Sequence, residues 1–124
     1  MSLVGRRPAA RELAAVEDRL AAGLALMRRG AYFEAHEELE LAWRACATAE
    51  RDFFQGLVHV TVAWYQAGRG NETGCGRQLE KAARRLAAYR PAHRGVDLGR
   101  VLDQVEAARA AVAAGSLELP PLRV

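Results

Sequence analysis

The residues of this chain best able to do chemistry fall on two lines at helical spacing. The first is His36, Glu37, Glu40 and Trp43, and the second is Gln55, His59, Val62 and Gln66. At about 100° per helical residue, Tyr32, Phe33, His36, Leu39, Glu40 and Trp43 share a stripe about 120° wide, with Glu38 opposite. That stripe is expected to face the core and bury His36 and Glu40, with Glu37 at its border, turned to solvent or into a cleft. If the two lines face each other, His36, Glu40, Gln55 and His59 meet inside a helical bundle. Two imidazoles and a carboxylate can hold a divalent ion with an open position, and Glu37 could then serve as the base of a metal-dependent hydrolase. The other reading is a hydrogen-bonded polar cluster in which Glu40 accepts from a histidine or from the Trp43 indole. His36-Glu37 begins like the zinc-peptidase His-Glu-x-x-His, but Glu40 stands where the second histidine belongs, and the doubled Glu-x-x-His of di-iron bundles is missing. The cluster is therefore expected to be structural, with no metal and no cofactor. Substituting His36 or Glu40 is then expected to destabilise the fold.

Other chemistry is weakly represented. Arg77, Lys81, Arg84 and Arg85 make a basic helix face able to meet a phosphate backbone. No stacking aromatics interleave with it, and 15 acidic residues nearly balance 18 basic ones, so a solvated face is expected and nucleic-acid binding is not. Serine and threonine are too few, and too poorly placed beside histidine, for a nucleophilic triad. Gly68, Gly70, Gly74 and Gly76 lack the lysine and the preceding strand of a phosphate-cradling loop.

A family resemblance rests on Tyr32-Phe33-Glu34-Ala35-His36-Glu37, Glu40 and Trp43, then Gln55-Gly56-Leu57-Val58, Gly70-Asn71 and Leu79-Glu80-Lys81-Ala82. Over residues 25–90 the chain resembles domain-of-unknown-function family 309. The resemblance implies a small, all-helical, prokaryotic protein and carries no assigned activity. Gly30 to Ala35 also resembles the turn of a tetratricopeptide repeat, with a partial echo from Ala63 to Gly70 and Cys75. The glycines recur 40 residues apart rather than 34, so only the packing of helical hairpins is taken from it.

The elements that must position these residues follow from periodicity. With 124 residues, 51% of them hydrophobic, one domain with one core is expected. Residues 1–7 read as a loose leader, and Pro8 suits a first helical position. Leu13, Val16, Leu20, Leu24 and Met27 mark helix one, stopped near Gly30. Helix two runs from Tyr32 to about Ala47, and Thr48 is a candidate cap for a largely apolar helix three over about Glu50–Ala67, the central one. Asn71 restarts the pattern for helix four, which ends before Pro91, and Pro91 to Val96 reads as a loop. Asp97 caps helix five, with Leu98, Val101, Leu102, Val105, Ala108 and Val112 inward, and residues 116–124 form an extended tail against the bundle or a neighbour. The expected fold is an all-α bundle of five helices, the first four as two hairpins, with helix content above about 65% against the usual third.

No apolar run long enough for a membrane span or a signal peptide is found. Cys46 and Cys75 form no metal or disulfide motif and are expected as reduced core residues of a cytoplasmic protein. The large apolar groups Tyr32, Trp43, Phe53, Phe54 and Trp64 exceed what one side of helices two and three can bury. A homo-oligomeric protein-interaction module is the expected role.

Overall fold

The computed structural model describes residues 10–124, apart from the side chains of Glu12 and Leu13; the expected leader, Pro8 and the packing of Leu13 lie outside it. Five α-helices follow one another, α1 Ala10–Arg28, α2 Tyr32–Ala45, α3 Arg51–Gly68, α4 Glu72–Leu86 and α5 Leu98–Ala113. Helix makes up 76% of the described structure, an all-α bundle as the periodicity implies. Each helix packs on the next in sequence, so α1/α2 and α3/α4 are hairpins joined through the α2/α3 contact, with α5 laid on α4.

The two hairpin turns have the same construction. Gly30, at φ 75°, donates to the Met27 carbonyl at 3.0 Å while Ala31 donates to Leu26 at 2.9 Å. Gly70, also at φ 75°, donates to Ala67 at 3.1 Å while Asn71 donates to Gln66 at 2.9 Å. This is the glycine-ended Schellman arrangement, which satisfies the last carbonyls of each first helix. Asn71 then caps α4, its Oδ1 accepting from the Gly74 amide at 2.9 Å. The faint internal echo in the sequence is thus a repeated turn.

The core is one cluster running through all five helices. Helix α3 supplies Phe53, Phe54, Leu57, Val60, Ala63 and Trp64, and Gly56 lets α4 come close. A Cβ at Gly56 would lie 2.5 Å from the buried Leu86 side chain. Helix α5 buries Leu98, Val101, Leu102, Val105 and Ala108 below its Asp97 cap, whose Oδ1 accepts from the Arg100 amide at 3.0 Å.

Local expectations fail at two joints. Helix α2 ends at Ala45, and Thr48 opens a 3-10 turn, Thr48–Glu50, with no side-chain cap on α3. The stretch expected as a plain loop holds a two-stranded antiparallel hairpin, β1 Ala92–His93 paired with β2 Val96–Asp97. Arg94 at φ 48° and Gly95 at φ 76° form its turn, where two positive φ values match the strand twist. Among the described residues no helix is long and apolar enough to cross a membrane.

Candidate functional site

Helix α2 is rotated about its axis from the orientation its large residues suggest. Its fully buried line is Ala35, Leu39 and Ala42. Tyr32 and Trp43 are half-buried flanks, while Phe33 is 47% and Leu41 41% exposed. The small alanines let α2 seat against its neighbours, and a stripe weighted by aromatic size points elsewhere. The expected burial of His36 and Glu40 is therefore corrected: their side chains are 26% and 40% exposed, on the shoulder of α2 that looks toward α3. Glu37 is fully on the solvent side, and Glu38 ties α2 to α1 through Arg19 at 2.9 Å.

The two predicted lines do run beside each other, along an open groove and not inside the bundle. Its one end is a cleft of about 180 Å³ lined by Phe33, His36, Val62, Tyr65 and Gln66. The other is a cleft of about 180 Å³ lined by Glu40, Trp43, Gln55, Val58 and His59. His36 Nδ1 lies 3.2 Å from the Phe33 carbonyl oxygen, so the ring donates there, and its Nε2 lies 3.4 Å from Glu40 Oε2. That contact is an ion pair only when the ring carries both protons. His59 turns to α4, its Nδ1 2.7 Å from Gln78 Oε1. Burial pushes the His59 pKa down; the Gln78 bond opposes this, and the positive charges of Lys81, Arg85 and Arg84 reinforce it.

His36, Glu40 and His59 thus resolve into a surface pair and a separately engaged imidazole. Among the described residues no three His, Cys, Asp or Glu side chains converge as a metal site would require. The Trp43 indole N–H is buried without a hydrogen-bond partner among the described residues, so Glu40 does not accept from it. The ring is instead covered by the Arg51 guanidinium, 4.4 Å from its centroid. On α4, Arg77, Lys81 and Arg84 form a solvent-facing basic edge opposite buried Cys75, Leu79, Ala82 and Leu86. Arg85, grouped with them in the sequence, turns aside to meet Asp52 at 2.7 Å. Both thiols are free, Cys46 half-buried and Cys75 buried, and burial pushes each upward in pKa, as suits unreactive packing groups.

A second polar cluster has no counterpart in the sequence reading. Glu50, only 18% exposed, accepts from Arg94 Nε at 2.7 Å through Oε1 and pairs with His93 Nε2 at 2.6 Å through Oε2. Arg94 also pairs with Glu17 of α1 and stands over the Phe54 ring, 5.4 Å from its centroid. His93 packs edge-on to Phe53 at 4.7 Å and lies 4.9 Å from Tyr89, whose hydroxyl donates to the Ala49 carbonyl at 3.0 Å. Burial raises the Glu50 pKa, but the bonds from Arg94 and His93 outweigh it and hold the carboxyl below its usual range. The cluster locks α1, the start of α3 and the β-hairpin turn together. A His-Arg-Gly run between Pro91 and the Asp97 cap signals a turn. Nothing local points to Glu50, more than 40 residues away.

The model of a family described as domain of unknown function, DUF309, matches residues 20–77, from within α1 into the first turns of α4. The resemblance read from the sequence holds over that stretch, which includes the whole α2/α3 groove and leaves the β-hairpin and α5 outside it. Comparison with curated proteins and with solved structures gave no match.

Proposed function

On the premise that the DUF309 match over residues 20–77 contains the α2/α3 groove, we propose that the protein is a cytoplasmic helical interaction module that associates with itself through the outer face of α2, α3 and α4. The observation that carries this reading is the placement of Phe33 and Leu41, large apolar residues 47% and 41% exposed on α2. From Phe33, whose ring lies 5.4 Å from that of Tyr65, half-buried Tyr65, Val62 and Val58 continue the apolar surface onto α3. Charge supports a second copy as the occupant. The exposed edge of α2 carries Glu34 and Glu37, with half-buried Glu40, and the exposed edge of α4 carries Arg77, Lys81 and Arg84. A twofold axis through the α3 side of this face sets each acidic edge against the partner's basic edge, the self-complementarity that a closed dimer needs.

Chemistry at His36, Glu37, Glu40 and His59 has less support, because Glu37 is exposed, His36 and Glu40 form an open pair and His59 is engaged by Gln78. Binding of nucleic acid through α4 is supported only by charge, and that charge serves the dimer. The reading is tested by isotope-filtered NMR on a mixture of labelled and unlabelled protein. Intermolecular contacts from the Phe33 ring to the α2 to α4 face are expected. Their absence from a sample that is dimeric would refute this face, and a sample that stays monomeric would refute self-association.

A further inference from the structure

The polypeptide beyond α5 is bound in the manner of a peptide ligand. Ser116 closes the Schellman turn at Gly115, and the chain then runs without helix or strand through Leu-Glu-Leu-Pro-Pro-Leu-Arg-Val. Side chains of the bundle hold its backbone. The Trp64 indole donates to the Pro120 carbonyl at 2.8 Å, and the Tyr32 hydroxyl accepts from the Leu122 amide at 3.1 Å. Gln104 grips Arg123 from both sides, accepting from its amide at 2.8 Å and donating to its carbonyl at 2.7 Å. Arg28 donates to the Val124 carbonyl at 3.0 Å.

Pro120 and Pro121 have no N–H, so in residues 120–123 both available amides are bonded, each to a groove side chain. Leu122 is sunk to 3% exposure as the anchor of the segment. Aromatic side chains that present a polar group to a proline-stiffened backbone, here the Trp64 donor and the Tyr32 acceptor, are the chemistry by which proline-containing peptides are recognised in trans. The fit is loose beside the anchor. An opening of about 460 Å³ lies between Arg28, Tyr32, Trp64, Leu117 and Pro121, and another of about 250 Å³ between Trp64, Gln104, Ala108, Ala111 and Pro120.

We infer that the groove between Tyr32, Trp64 and Gln104 is a docking site for an extended Leu-x-Leu-Pro-Pro-Leu-Arg segment, filled here by the chain's own tail and open to the same tail of a second copy once the resident one is released. The second copy is the chosen source because this tail is the one segment whose anchor, carbonyls and amides match the groove partner for partner. Exchange of an identical segment between protomers needs no new contact, only release of the old ones. The groove shares neither Phe33 nor Leu41 with the α2 face, so the two readings stand or fall separately.

The test uses the full chain and a fluorescent synthetic peptide of residues 117–124, followed by anisotropy. Leu122→Asp disables the resident tail and leaves the groove intact. It is expected to bind the peptide at least about tenfold more tightly than wild type, in which the tethered tail competes at high effective concentration. Adding Trp64→Phe, which keeps an aromatic ring at the site and removes the donor, is expected to lose most of that gain. A peptide that keeps both prolines but carries glutamate for Leu119 and Leu122 is expected not to bind, and equal binding would overturn the assignment to this tail. If Leu122→Asp loses helicity, isotope-labelled wild type titrated with excess unlabelled peptide gives the answer through the resident Leu122 amide resonance, which moves when the displaced tail leaves the Tyr32 hydroxyl. A shift of that resonance supports the site, and its constancy at millimolar peptide, like the absence of binding by a folded Leu122→Asp, overturns it.

Discussion

Two polar clusters flank α3 and behave in opposite ways. The groove cluster of His36, Glu40, Gln55 and His59 is assembled from two helical lines that a reader of the sequence can draw, yet its members stay half-open and engage different partners. The cluster of Glu50, His93 and Arg94 joins residues about 43 positions apart, and it closes, with both carboxylate oxygens of Glu50 bonded. Closure follows from burial. A carboxylate left 18% exposed must have its charge met inside the protein, whereas one left 40% exposed is met by water. The closed cluster therefore bears on stability, and the open groove is free to bear on recognition.

The largest expected effect lies in the closed cluster. Glu50→Gln keeps the shape but removes the charge that Arg94 and His93 bind, and is expected to cost about 2–3 kcal/mol of stability in a denaturant titration, in the range for hydrogen bonds to charged groups. Loss of less than a few tenths would erase the distinction between the clusters.

Acid should separate the two sites by pH. Glu50 is depressed in the folded state, so its contribution is present above the usual carboxylate pKa and is lost as pH falls through the lowered folded value. His59 is depressed as well, so the folded state resists its protonation; stability is full above the ordinary histidine pKa and declines as pH falls from there toward the folded value. Thermal melts across pH are expected to show a first decline that begins below the ordinary histidine pKa of about 6.5, absent in His59→Asn, and a second in the carboxylate range, absent in Glu50→Gln. A single decline that both variants leave in place would show that neither group is coupled to folding as its surroundings imply.

The smallest effect is expected where the sequence placed the greatest weight. Glu40→Ala and His36→Ala should each change stability by no more than about 0.5 kcal/mol, as for exposed i,i+4 pairs, and so should Glu38→Ala. A loss of 2 kcal/mol or more from Glu40→Ala (about the cost of a stranded buried partner) would restore the buried-cluster reading.

The fold was legible because it rests on local signals. Gly30 and Gly70 end helices, Asn71 and Asp97 cap them, and the apolar spacing of α4 and α5 marks their inner faces. The site was half legible. Periodicity put His36 and Glu40 on one side of α2, but which side faces the core was decided by Ala35 and Ala42, whose small size permits close packing and carries little weight in a hydrophobic stripe. The Glu50 cluster depends on a β-turn at Arg94 and Gly95 returning to the start of α3, a long-range contact with no period. The tail reads as non-helical from Pro120 and Pro121, whereas its grip by Trp64 and Gln104 is a matter of tertiary placement.

The claim that the open face serves self-association is tested most directly by sedimentation velocity from micromolar to millimolar protein. Wild type is expected to pass from monomer to dimer over that range. Phe33→Glu combined with Leu41→Glu, changes at exposed positions that leave the core untouched, is expected to stay monomeric with unchanged helicity. A wild type that remains monomeric at every concentration, or a double variant that dimerises as readily as wild type even when Leu122→Asp is added to prevent tail exchange, would contradict the account.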